Sequence, residues 1–139
     1  MSANKLLVAT LAGGVTFFLL GWLVWGMLLA DYMAKNAGSA TGVAKEPMVM
    51  WAIALSNLLS GLLLAVIFGR WAGIKTFMTG AKAGAVLGLL LGLSYDLLLF
   101  GTSNVTTMNA LVVDVLANVV VTAVAGGVVG WVLGRNEKS

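Results

Sequence analysis

Four long apolar stretches, roughly residues 6–30, 48–69, 77–100 and 110–133, dominate this chain. Each is long enough to cross a bilayer, which takes about 20 residues. Hydrocarbon offers no water to satisfy backbone N–H and C=O groups, so such stretches read as helices. The valine-rich fourth stretch tests this reading, because valine favours strands. Its apolar run is continuous and carries a small-residue stripe at four-residue spacing, which is a helical period. The expected fold is therefore all-α: a four-transmembrane-helix bundle of two antiparallel helical hairpins, forming one integral membrane domain over residues 1–139. Composition agrees. Of 139 residues, 60% are hydrophobic and 9% charged, against about 25% charged in ordinary soluble domains. A soluble chain this small has too little interior to hide so much apolar surface.

Turn-forming residues separate the spans at Asn36 to Gly42, Arg70 to Lys75 and Gly101 to Asn104. Pro47, the single proline, suits the first turn of the second helix. Ser103 or Thr106 suits the N-cap of the fourth. Lys82, near the start of the third span, can extend its ammonium to the headgroups. The first span exceeds the 7–15 residues of a signal-peptide core, and no A-x-A site follows, so it is expected to remain a membrane helix. Orientation follows from Lys and Arg. The second connection carries Arg70 and Lys75, the N-terminus Lys5 and the C-terminal tail Arg135 and Lys138, while the third connection has neither residue type. The first connection has Lys35 and Lys45, beside Asp31 and Glu46. Both termini and the middle connection are expected in the cytoplasm, with the protein in a bacterial inner membrane.

The last two spans carry stripes. Gly80, Gly84, Gly88, Gly92 and Asp96 recur every four residues, as do Asp114, Asn118, Thr122, Gly126, Gly130 and Gly134. In a helix this spacing places them on one face, and small residues let two helix backbones approach closely. Aligning the stripes sets Gly80 opposite Gly134, Gly84 opposite Gly130, Gly88 opposite Gly126 and Asp96 opposite Asn118. A nucleotide-binding glycine loop would need a preceding strand, which is absent here. Between the halves, Asp31, Gly61, Gly69 and Arg70 echo Asp96, Gly126, Gly134 and Arg135 at one constant offset, a coincidence readily produced by glycine-rich apolar sequence.

In this topology Asp31, Asn57, Asp96, Asp114 and Asn118 gather toward the external leaflet. A carboxylate in the bilayer interior is costly and needs an answering group. Asp96 and Asp114 have no basic residue at their own depth. At least one is therefore expected to be protonated, cation-bound or contacted by another chain. Polar residues in membrane helices also serve simply to join helices. A second cluster is aromatic. Trp51, Trp71 and Trp131 lie near span ends and suit the interfacial belts. Trp22 and Trp25 lie deeper and would line an apolar ligand pocket or face a partner helix or lipid.

Other chemistry is excluded by residues the chain lacks. With no Cys and no His, there is no disulfide, thiol nucleophile, iron–sulfur cluster, haem ligand of either type or Cys/His zinc site. No metal or cofactor is expected. Ser94, Tyr95 and Asp96 alone make no nucleophile constellation. The net charge of +3 is dispersed, and no basic run is interleaved with aromatics as nucleic-acid binding requires.

The run Phe17-Phe18-Leu19-Leu20-Gly21-Trp22-Leu23-Val24-Trp25-Gly26-Met27-Leu28 resembles the first-helix signature of a bacterial family of small uncharacterised four-helix integral membrane proteins. Met27 stands where that family often has proline. The Gly84-Ala85-Val86-Leu87-Gly88 run and the glycine-rich end of the fourth span are similar as well. The resemblance implies the four-helix architecture and no reaction. Three functional readings stand after this. The leading one is a non-enzymatic membrane assembly or accessory subunit, self-associating or joined to a larger complex. The second is a small cation or proton transporter or channel built on the Asp/Asn cluster. The third is a subunit binding a lipid-like or quinone-like molecule beside Trp22 and Trp25.

Overall fold

A computed structural model describes residues 2–135; Lys138, used above for orientation, lies outside them. The described chain is helical, with no strand. Helix α1 (Ala3–Leu23) runs into a π-helical segment, Val24–Leu28, and is followed by a short helix, α2 (Ala30–Lys35). Helix α3 (Met50–Val66) continues into a second π-helical segment, Ile67–Ala72, and α4 (Phe77–Thr102) and α5 (Met108–Gly134) complete the chain. Four stretches are long and apolar enough to span a membrane: Ala3–Leu28, Met50–Ala72, Phe77–Thr102 and Met108–Gly134. The chain is a multi-pass, all-helical membrane protein.

Hydroxyl side chains cap the starts of α1, α4 and α5. Ser2 Oγ accepts from Lys5 N at 3.1 Å, Thr76 Oγ1 from Thr79 N at 3.2 Å and Thr107 Oγ1 from Ala110 N at 3.3 Å. Each satisfies an N–H that the first turn leaves without a partner. The cap of α5 is thus Thr107, in place of Ser103 or Thr106. The Ser103 hydroxyl instead donates back to Leu99 O at 2.7 Å, closing the end of α4. Pro47 precedes α3 by three residues and does not enter its first turn, because Val49 still has extended backbone. At the other end of this span Gly73 takes a left-handed φ of 63°. Ile74 N then bonds Phe68 O at 2.9 Å, a reversal suited to glycine.

Helix α5 is the most buried of the four spans. It packs against α4 on one side and α1 on the other, and α1 packs against α3. The helices therefore stand in the order α3, α1, α5, α4, with almost no direct contact between α3 and α4. The core sits at the end holding the 73–76 connection. It joins Ala9, Leu64, Ala65, Phe68, Ala125, Val129, Val132 and Leu133. Away from it the bundle opens. Large apolar side chains such as Leu7, Val15, Leu59, Leu90 and Leu116 are exposed, as expected where lipid is the solvent.

Glycines form both close seams. On α4 and α5, a Cβ at Gly80 would collide with the Gly126 carbonyl, one at Gly84 with the Thr122 carbonyl, and one at Gly126 with the Gly80 carbonyl. Gly88 faces Asn118 O and the Thr122 side chain, Gly92 faces the Asn118 amide, Gly130 faces Thr76 O, and Gly134 meets Lys75. This register corrects the one expected from aligning the stripes. Gly80 lies against Gly126 and Gly130, not Gly134, and Gly88 lies against Asn118 and Thr122, not Gly126. The cause is the turn. Helix α4 ends at Thr102 and Thr107 caps α5, which centres the connection on Asn104 and Val105. Facing residues follow from that centre. The second seam was not read from the sequence: Gly13 and Gly14 of α1 press on the backbone of Gly61 and Leu58 in α3.

The first and third connections meet. Ala37 pairs with Thr106 in an isolated bridge. Gly38 N donates to Val105 O at 3.2 Å, Ala40 N to Asn104 O at 2.9 Å, and Thr107 Oγ1 to Asn36 O at 2.5 Å. These bonds satisfy loop backbone at the open end of the bundle.

Candidate functional site

The turn register brings Asp96 beside Asp114, not Asn118. Both carboxyl groups line a cavity of about 270 Å³ between α3, α4 and α5, together with Ser60, Asn118 and Thr122. Asp96 is 7% exposed, and its Oδ2 has no hydrogen-bond partner among the described residues. Asp114 Oδ1 accepts from Trp25 Nε1 at 2.7 Å. Asn118 Nδ2 donates to Gly88 O at 2.9 Å, binding α5 to the backbone of α4. Gly92 leaves the space this amide occupies, since a Cβ there would stand 2.9 Å from Asn118 Nδ2.

Helical geometry explains the grouping. Asp114, Asn118 and Thr122 follow one another by one turn along α5 and so point the same way. Trp25 arrives differently. It lies in the π-helical segment Val24–Leu28, where Leu29 N reaches back to Val24 O at 2.8 Å. Such widened turns reorient side chains and recur at functional sites. Trp25 was expected to line an apolar ligand pocket or to face a partner helix or lipid; it lines the larger of two adjoining cavities, and its indole N–H also anchors a carboxylate. Its neighbour Trp22 is 62% exposed.

A second cavity, about 690 Å³, adjoins the first between the open halves of α1, α3 and α5. Phe18, Trp22, Trp25, Met48 and Asn57 contribute to its wall, and Phe17, Ser60 and Asn118 line both cavities. Asn57 spends an amide N–H on Ile53 O of its own helix at 3.0 Å. Asp31 takes no part in the cluster: it lies in α2 and is exposed. The structure therefore brings together Asp96, Asp114 and Asn118, places Asn57 in the adjoining space, and leaves Asp31 outside. Ser60 went unnoticed in the sequence. A signal for Ser60 exists, because Ser56, Asn57 and Ser60 mark a polar edge on an otherwise apolar span.

The site is acceptor-rich. No Lys or Arg lines either cavity. A buried carboxylate oxygen without a donor is costly, and a second carboxyl beside it adds repulsion when both are charged. A proton, a cation or a ligand N–H relieves both penalties. Among the described residues no group of three or more His, Cys, Asp or Glu side chains stands close enough to hold a metal ion. No family model, curated protein or solved structure matches the chain.

Proposed function

We propose that this chain is a non-enzymatic protein of the bacterial cytoplasmic membrane that binds a cation or proton between Asp96 and Asp114. The observation carrying this reading is the buried, unpartnered Oδ2 of Asp96 next to a second carboxyl. The proposed topology is two antiparallel hairpins with both termini and the 73–76 connection in the cytoplasm. It is supported by Lys5, Arg70, Lys75, Lys82 and Arg135 at the cored end, against no Lys or Arg in the third connection. Contact between the first and third connections supports placing those two on one side. In that topology the carboxylate cleft faces the external leaflet.

The test is infrared difference spectroscopy of the reconstituted protein, following carboxyl bands as protons or monovalent cations are titrated. The expected result is a saturable change assigned to both aspartates and lost in Asp96→Asn and Asp114→Asn. Folded wild-type protein whose carboxyl bands do not respond would overturn the reading. One observation favours an assembly role in addition. The side between α3 and α4 is open, with Leu63 and Leu91 exposed along the cleft. A second copy or a membrane partner covering that side would be retained in native mass spectrometry from mild detergent.

A further inference from the structure

We infer that the ligand of this cleft is an organic cation: a protonated amine on an aromatic or aliphatic body. The inference rests on the cation-binding reading above and names the ligand class. Three observations converge on it. First, Asp96 Oδ2 lacks a donor and is held in a side chain only 7% exposed. An ammonium supplies N–H bonds as well as charge, and such charge-assisted bonds are the strong ones. Second, the carboxylate cavity does not end in packed protein. It shares Phe17, Ser60 and Asn118 with the larger cavity. That space, about 690 Å³, falls within the roughly 300–1,000 Å³ range of small-molecule pockets. A bare ion would fill only the carboxylate end.

Third, the wall chemistry suits a cationic head with an apolar body. Phe17, Phe18, Trp22 and Trp25 line the larger cavity, with Phe17 shared with the carboxylate cavity and Trp25 bonded to Asp114, and aromatic faces attract cations. No lysine or arginine reaches either cavity to neutralise the aspartates from within. An anionic ligand would meet repulsion, and a neutral apolar one would bring neither charge nor N–H to Asp96. Trp25 joins the two regions: its ring lines the larger cavity while its N–H orients Asp114 at 2.7 Å. The amine is therefore placed between Asp96 and Asp114 and the body beside Phe17 and Trp22.

The experiment is equilibrium dialysis of the full chain in nanodiscs. The probes are 2-(1-naphthyl)ethylammonium and the neutral 2-(1-naphthyl)ethanol, with empty nanodiscs subtracted. The ammonium is expected to bind saturably, about tenfold or more tighter than the alcohol. Asp96→Asn should weaken the ammonium about 10–100-fold and the alcohol much less. Trp22→Ala should weaken the ammonium while preserving the infrared response to inorganic cations. Equal binding of alcohol and ammonium to the wild type would overturn the inference, and this comparison holds even if a variant fails to fold. Absence of ammonium binding with the inorganic-cation response intact would refute the organic ligand and leave the cation cleft standing. Loss of both would remove both.

Discussion

Replacing Gly126 with alanine adds one methyl group where the structure has no room for it. The new Cβ would collide with Gly80 O, stand 3.1 Å from Gly84 Cα and stand 3.3 Å from Gly80 C. Ordinary carbon contacts lie at about 3.5–4.0 Å. Every obstacle is backbone, so no rotamer change relieves it, and α4 must shift as a body. Overpacking of this kind costs about 1–3 kcal/mol. Removing a helical glycine returns about 0.5–1 kcal/mol of chain entropy. The expected net loss is about 1 kcal/mol, within a span of about 0–2.5 kcal/mol, after the two effects are combined. Gly21→Ala is the matched control: a Cβ there meets nothing within 4 Å. It should be neutral or slightly stabilising. Reversible unfolding in mixed micelles, with denaturing detergent as titrant, reads both variants on one scale. Gly126→Ala at least as stable as wild type would refute the close α4–α5 approach. The larger replacements Gly88→Leu and Gly126→Leu should lose more than the alanine variants in the same assay.

Two other outcomes are expected. In this cysteine-free chain, Lys75→Cys should react with membrane-impermeant maleimide only from the cytoplasmic side and Ser103→Cys only from the external side; the opposite pattern would invert the proposed topology. Trp25→Phe removes the 2.7 Å indole bond to Asp114, and a hydrogen bond to a charged group contributes about 1.5–3 kcal/mol. That variant should lose stability on this order while Trp22→Phe does not, and equal stabilities would show the bond to be without consequence.

The number of spans was legible because hydrophobicity over about 20 residues is a local property. Bounds moved by at most three residues, from 6–30, 48–69, 77–100 and 110–133 to Ala3–Leu28, Met50–Ala72, Phe77–Thr102 and Met108–Gly134. The four-residue stripe also announced which faces of α4 and α5 are small, since helical periodicity needs no tertiary information. Gly13, Gly14 and Gly61 form an equally close seam but carry no repeating stripe, and single glycines in apolar sequence give no sign of what they touch. The carboxylates were visible as unanswered charges in an apolar span; their mutual placement was not. Matching small residues to small residues put Asp96 opposite Asn118, whereas the capped, centred turn puts it beside Asp114.

The sequence alone determined a helical membrane protein without thiol or imidazole chemistry, because length, apolar continuity and residue absences act independently of how helices meet. Tertiary structure decided the rest. Helix order left α3 and α4 apart, the turn set the register of α4 on α5, and a π-helical segment carried the Trp25 N–H to Asp114. Each depends on contacts between residues far apart in the chain, and no local pattern encodes such a contact.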